Sequence, residues 1–272
     1  MNSPSPRQYR RFSTGNMLII VLAGFILGVW LTYTPPGVLG KANAIGYAVC
    51  HQISTRSFFL GDRQLPLCSR CSGMYLGALV GLIYQIRLGR FGGMPARKIL
   101  FVLGTFLLAF AIDGINSYLH FFPGTPNFYE PHNWLRLLTG TGVGLGISAV
   151  LLPIFNQTVW KDWDDRPLLY SWRQLFTIIL LAIVMDIAIL SENAFLLYPL
   201  ALLSSATVLL ILTMLYTVIW ILLLRKDNHY QTLNDLSGLL IAGFTTALLQ
   251  IALMDLGRYI LTGTWKGFPS GL

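Results

Sequence analysis

Seven stretches of the chain are apolar for long enough to cross a hydrocarbon layer, near residues 17–34, 71–88, 98–119, 134–155, 173–192, 197–224 and 236–261. Each is close to the roughly 20 residues that a spanning helix needs. The separators are short and polar and many carry Gly or Pro, as in Gly89 to Arg97, Pro123 to Pro131 and Lys161 to Arg173. The pattern predicts an all-α fold, a polytopic bundle of about seven transmembrane helices. Its softest boundary lies between the fifth and sixth helices, where Glu192, Asn193 and Pro199 barely lower the apolar character. Six helices plus a re-entrant segment is the alternative there. The first run ends in Tyr33, Thr34, Pro35 and Pro36 rather than in a small-residue cleavage site. It is also too long for a signal-peptide core, so it is expected to stay in place as a spanning helix.

Small residues recur at helical spacing: Gly24 and Gly28 on the first helix, Gly73, Gly77 and Gly81 on the second, and Gly140, Gly142, Gly144 and Gly146 on the fourth. Glycines four apart line one helical face and let two backbones approach closely. They are expected to form scaffold rather than site.

Composition agrees with the pattern. The chain is 54% hydrophobic and 11% charged, with mean hydropathy +0.62, against about a quarter charged in soluble domains. Lipid must therefore supply much of its solvent. The net charge of +8 comes with no nucleic-acid motif and no aromatic-basic interleave, so no nucleic-acid partner is expected. Short loops carry the basic residues, where they set orientation and meet headgroups. An inside N-terminus places Arg7, Arg10, Arg11, Arg87, Arg90, Arg97, Lys98, Lys161, Arg166, Arg173, Arg225 and Lys226 inside. Outside it leaves Lys41, Arg56, Arg63, Arg70, Arg136, Arg258 and Lys266. Twelve against seven favours that orientation. Residues 1–16 are then a basic cytoplasmic tail, and the expected location is a bacterial inner membrane, spanned several times. Walker, dinucleotide-binding, G-x-S-x-G and H-E-x-x-H motifs are absent, as is the C-x-x-C-H of c-type haem, because Ser72 follows Cys71.

Chemistry concentrates in the first outer loop. All three cysteines, Cys50, Cys68 and Cys71, lie within 22 residues, with His51 beside the first. Cys68 and Cys71 form a C-x-x-C pair at the mouth of the second helix. That spacing lets two thiolates reach one ion from a tight turn, and Cys50 can add a third sulfur. His51, His120 or His132 could complete a tetrahedral set holding zinc or iron. Adjacent Cys50 and His51 point apart on a regular backbone, so joint ligation would need a local distortion. A disulfide or redox pair and buried inert thiols are the competing readings. Sulfurs about 3.5–4 Å apart would mark a shared ion.

The residues Cys50-His51-Gln52, Arg56-Ser57-Phe58, Pro66-Leu67-Cys68, Arg70-Cys71 and Gly73 resemble the hallmark of a prokaryotic family of polytopic membrane proteins, domain of unknown function 2085. A second block is similar to the same family: Asp113-Gly114, then Asn133, Arg136, Leu137, Leu138, Thr139 and Gly140. The two blocks span roughly 45–150. The resemblance implies a shared fold and shared chemistry, and no particular activity. It implies a four-helix core over 17–155 and a three-helix C-terminal extension over 156–272.

Charged side chains in hydrocarbon cost about 2.5–3.5 kcal/mol on insertion scales, so each needs a reason. Asp113, Asp186 and Asp255 fall late in the third, fifth and seventh helices, on the side of the cysteines. Arg136 is the expected partner of Asp113, and Arg258, one turn on, that of Asp255. Asp186 has no evident basic partner. Asp113, Asn133 and Arg136 are candidate catalytic residues, as the polar wall of a cleft beside a metal held by Cys50, His51, Cys68 and Cys71. The substrate would be a lipid or another membrane-bound molecule. A non-catalytic subunit of a membrane complex, docking other membrane proteins, and a small-solute or metal transporter are the alternatives.

Overall fold

A computed structural model describes residues 14–122, 124 and 128–268. Most of the predicted basic tail, and Pro123 and Pro126 of the separator between the third and fourth predicted helices, lie outside the described residues. The fold is all-α: α1 Thr14–Tyr33, α2 Val38–Val49, α3 Ser69–Ile86, α4 Arg97–Leu119, α5 Asn133–Val159, α6 Trp172–Leu190, α7 Ala194–Leu223 and α8 Leu233–Thr262. Two small strand pairs join them. An antiparallel one links β1 Phe59–Leu60 to β2 Arg63–Gln64, and a parallel one links β3 Phe91–Gly93 to β4 Asp164–Pro167.

Five of these helices, α4 to α8, are long and apolar enough to span a membrane, and α1 and α2 reach that length and apolarity only together, as a pair bent by 103°. The bend falls at Thr34–Gly37, where Pro35 and Pro36 cannot continue the helix. Lys41 closes the broken end, its Nζ donating to the carbonyls of Leu31 and Thr34 and to Thr34 Oγ1 at 2.8 Å. The remaining predicted helix, α3, is present but short and mixed in composition, with Ser69, Arg70, Ser72, Gln85 and three glycines. It can be so because other helices enclose it: α3 packs against α5, α6 and α7. The fifth and sixth predicted helices separate cleanly. A three-residue turn, Ser191–Asn193, joins α6 to α7, with Asn193 Oδ1 accepting from Phe195 N as an N-cap.

The axis of the bundle is α5, whose apolar stretch is 67% buried, against 22–39% for the other long helices. Its partner is α3, and glycine sets their distance. A methyl group added at Gly73 or Gly77 would strike the carbonyls of Leu137 or Thr141 on α5. One added at Gly140 or Gly144 would strike those of Arg70 or Met74 on α3. The stripes thus interlock from both sides, which makes a contact of backbone on backbone. Gly24, Gly28 and Gly146 share the spacing yet face open space. Spacing permits a close contact and does not create one. The outer faces of α4, α6, α7 and α8 expose large apolar side chains such as Phe101, Leu108, Phe176, Leu180, Leu223 and Ile260. A belt of that extent belongs against lipid.

The helix directions give the bundle two ends. Loops 50–68 and 120–132, turn 191–193 and segment 263–268 share one end, which holds the cysteines. The strand pair β3–β4 and the bridge between Trp160 and Tyr230 close the other. There Arg90 pairs with Asp162 at 2.7 Å and stacks on Trp160.

Two substitutions on α5 test the interlock. Gly144→Ala is expected to lower stability in detergent by about 1–3 kcal/mol, the usual cost of overpacking. Gly146→Ala, which meets nothing within 4 Å, is expected to be neutral or slightly stabilising on helix propensity. Thermal unfolding of the two variants provides the comparison, and equal losses would remove the argument.

Candidate metal centre

Cys50 is the C-cap of α2 and Cys68 the N-cap of α3, so two helix ends meet at this point. Cys71 sits one turn into α3. Their three sulfurs lie within 4.8 Å of one another, all three cysteines are free, and Cys50 and Cys68 are buried. Half-buried Cys71 is the side on which the cluster meets its surroundings.

The loop between α2 and α3 is shaped to hold this meeting. Gln52 adopts a left-handed backbone conformation (φ 52°), and its Nε2 donates to Pro66 O at 2.8 Å and to Asn43 Oδ1 at 3.0 Å. That clamps the loop's start to its end, next to the Pro66-Leu67-Cys68 turn. The backbone N–H groups of Gln52 and Cys68 both point at Cys50 Sγ, at 3.5 and 3.3 Å. From outside, Arg258 of α8 donates to the carbonyls of Tyr47 and Cys50 at 2.6 Å and of His51 at 3.1 Å. A guanidinium over the last carbonyls of α2 is a favourable pairing with the helix dipole. Phe268 N adds a bond to His51 O at 3.0 Å, so the C-terminal segment also holds the loop.

Electrostatics single out one thiol. Hydrogen bonds from Cys50 and Cys71, and then from His51, hold the Cys68 thiol well below its ordinary range. Donation to Cys68, with burial, pushes the Cys50 thiol up to about 12. The three sulfurs therefore gather negative charge at Cys68, and a cation arriving there displaces protons from the other two.

His51 was expected among the ligands and stands outside the three-sulfur group. Its Nδ1 accepts from Ile53 N at 3.0 Å, which leaves the proton on Nε2 and makes the ring a donor toward Cys68. A ring so placed can orient and stabilise a thiolate. His120 ends α4 as its C-cap, and exposed His132 stacks on Trp134. Neither belongs to the sulfur group.

The carboxylates all lie toward the cysteine end, but with partners other than those expected. Asp113 pairs with Arg70, not Arg136. Its other oxygen, Oδ1, accepts from Tyr129 OH at 2.9 Å, so both oxygens are taken. Burial, followed by that hydrogen bond, pushes the Tyr129 hydroxyl up to about 12. Asp255 accepts from Trp30 Nε1 at 3.0 Å, because Arg258 is drawn away to the α2 carbonyls. Asp186 accepts from Thr141 Oγ1 at 2.8 Å. Arg136 donates from Nη1 to Asn133 Oδ1 at 2.9 Å, and Asn133 reaches Thr55 O at 3.3 Å. These two tie α5 to the cysteine loop. Sequence reasoning missed Arg70 as the counter-ion. The available signal was its place one residue before Cys71, on the α3 face that the glycines press onto α5.

Beside the cluster, α2, α8 and the C-terminal segment enclose a mostly apolar cavity of about 490 Å³, lined by Cys50, His51, Val49, Leu253, Leu261 and Phe268 among others. Leu253, Met254 and Leu261 of α8, all exposed, line its α8 side.

Comparison with known proteins places this geometry. The model of the family described as "Predicted membrane protein (DUF2085)" matches residues 50–150, a stretch that begins at Cys50 and contains the three cysteines, His51, Asp113, Asn133 and Arg136. The uncharacterized protein MJ1492 of Methanocaldococcus jannaschii is 30% identical over 122 residues, covering 44% of this chain and 72% of that protein. An uncharacterized protein of Methanothermobacter thermautotrophicus is 30% identical over 111 residues, covering 41% of this chain and 90% of that protein. No solved structure matches. These relatives are archaeal and give no support to a bacterial inner membrane. With this family match and two relatives 30% identical over most of their own length, the chain belongs to the DUF2085 family of membrane proteins.

Proposed function

We propose that this protein is a membrane metalloprotein in which Cys50, Cys68 and Cys71 hold one zinc or iron ion and present it to a membrane-borne molecule. The observation that carries the reading is the convergence of three sulfurs from two helix ends to within 4.8 Å. Soft thiolates select zinc or iron over magnesium or calcium. Backbone N–H groups aimed at Cys50 Sγ and the imidazole beside Cys68 offset the charge of such a centre, as outer-shell donors do. Three protein sulfurs leave a fourth tetrahedral position, and a metal with an open position polarises a bound group. The cavity beside Cys50 and His51 is apolar enough for a hydrophobic tail, which favours a lipid or similar membrane-bound substrate. Asp113, both of whose oxygens are engaged, positions arginines rather than serving as a general base. The cysteine end faces away from the cytoplasm in this reading, supported by the basic residues that crowd the opposite end, Arg87, Arg90, Arg97, Lys98, Lys161, Arg166, Arg173, Arg225 and Lys226.

Metal analysis is the direct test. Purified protein should carry about one zinc or iron per chain, with sulfur scatterers near 2.3 Å for zinc. Cys68→Ser should lose nearly all of it. A metal-free protein whose cysteines are oxidised to a disulfide would end the proposal, and four protein ligands would reduce it to a structural clamp.

Sidedness has its own measurement. A cysteine placed by Ser191→Cys, in the exposed turn at the cluster end, should react with a membrane-impermeant maleimide in intact cells. One placed by Asp227→Cys, at the opposite end, should react only after lysis. The reverse pattern would put the centre in the cytoplasm.

A further inference from the structure

Beside the sulfur cluster, three arginines converge on Asp113, the one carboxylate among the described residues found to act on them. Arg56, in the loop, is 9% exposed, Arg136, on the first turn of α5, is 6% exposed, and Arg70 is half-buried on α3. Arg56 Nη2 donates to Ser117 O at 2.7 Å, and Arg70 Nη2 reaches Ser117 Oγ at 3.1 Å, so these two meet on one residue of α4. Arg136 stands within electrostatic reach of both. Asp113 is the shared counter-ion, and its carboxylate is already engaged by Arg70 and Tyr129.

Buried like charges repel strongly because little water screens them. The Arg56 guanidinium shows the imbalance. Burial, followed by the charges of Arg136 and Arg70, lowers it to about 10, and the opposing pull of Cys68 and Asp113 is the smaller effect. The thiolates therefore do not balance the group. Donors are also left over: the Nε atoms of Arg70 and Arg136 are buried with no hydrogen-bond partner. Buried N–H groups of charged residues left unpaired are costly, because nothing replaces the water they have lost. Phe121 covers the face of Arg56 at 3.8 Å, and Phe110 lies 5.4 Å from Arg70. Those rings hold the guanidinium planes without using their N–H groups.

An anion with several acceptor oxygens would cancel the surplus charge and take up the idle donors together. Guanidinium forks match phosphate in planar, paired geometry. The site also sits at one end of the helix bundle, and basic pockets between helices at such ends can take phospholipid headgroups. We infer that Arg56, Arg70 and Arg136 form a binding site for a phosphate group, carried by a phospholipid headgroup or by inorganic phosphate. It is separate from the metal, since none of its residues is a sulfur donor.

The test uses the full chain in a neutral detergent, with metal content measured in every sample. Inorganic phosphate is titrated calorimetrically in one arm and short-chain phosphatidic acid in the other, with the matching diacylglycerol as control. The expected result is saturable binding in at least one arm, weakened at least tenfold by Arg136→Gln and by Arg56→Gln. Arg63→Gln, an exposed arginine of the same loop, should leave it unchanged. Binding of phosphatidic acid alone identifies a lipid headgroup, and binding of phosphate identifies the free ion. Should Arg136→Gln not fold, Arg56→Gln carries the comparison, because Arg56 lies in the loop between α2 and α3 and not in the α3–α5 contact. The inference is overturned by an absence of binding in both arms, or by equal weakening in Arg63→Gln. It is also overturned if the arginine variants lose metal yet bind phosphate as the wild type does, since the arginines would then serve only to balance the thiolates.

Discussion

The contact of backbone on backbone between α3 and α5 is the constraint on which the site depends. Four glycines, two on each helix, face main-chain carbonyls of the partner helix, with no side chain between. That fixes both the separation and the register of the two helices. Because Cys68, Arg70 and Cys71 occupy the first turn of α3, and Asn133 and Arg136 the first turn of α5, the same contact sets where the thiolates and guanidiniums stand. A lateral shift by one residue would move every one of them. Packing of this kind suits a membrane protein, in which lipid tails are as apolar as leucine and burial alone does not draw helices together.

Around this axis, charges in the low-dielectric region are satisfied one at a time by tertiary partners. Asp113 has Arg70 and Tyr129, Asp186 has Thr141, and Asp255 has Trp30. Arg258 is the instructive exception to local pairing. One helical turn from Asp255, it turns instead to three carbonyls at the end of α2, where the helix leaves acceptors unpaired. In doing so it fastens α8 to the loop that carries Cys50. Residues beyond the family match thus support the centre that lies within it.

The same economy of partners makes the arginine group stand out. Everywhere else among the described residues a buried carboxylate finds one or two donors, whereas here three guanidiniums share one carboxylate. A metal held by thiolates and an anion held by arginines, side by side at one end of the bundle, would bring together the two kinds of group that handle a polar headgroup. The apolar cavity along α8 suits the tail of such a molecule.

From the sequence alone came the membrane environment, the all-α architecture and the loop in which chemistry is concentrated. Each is read from local quantities: the length of an apolar run, the spacing of glycines, three cysteines within 22 residues. Partner choice was decided only by tertiary structure. Asp113 could meet Arg136 or Arg70 on sequence grounds, and the α3–α5 register selected Arg70. His51 carries ligand chemistry in its composition, yet its Nδ1 is committed to Ile53 N by the turn at Gln52. The number of spans was legible except at α3, where enclosure by other helices removes the need for an apolar surface. Hydrophobic pattern reports what a segment must face, lipid or water. Which groups meet inside depends on distances between segments remote in the chain, and those exist only once the helices have packed.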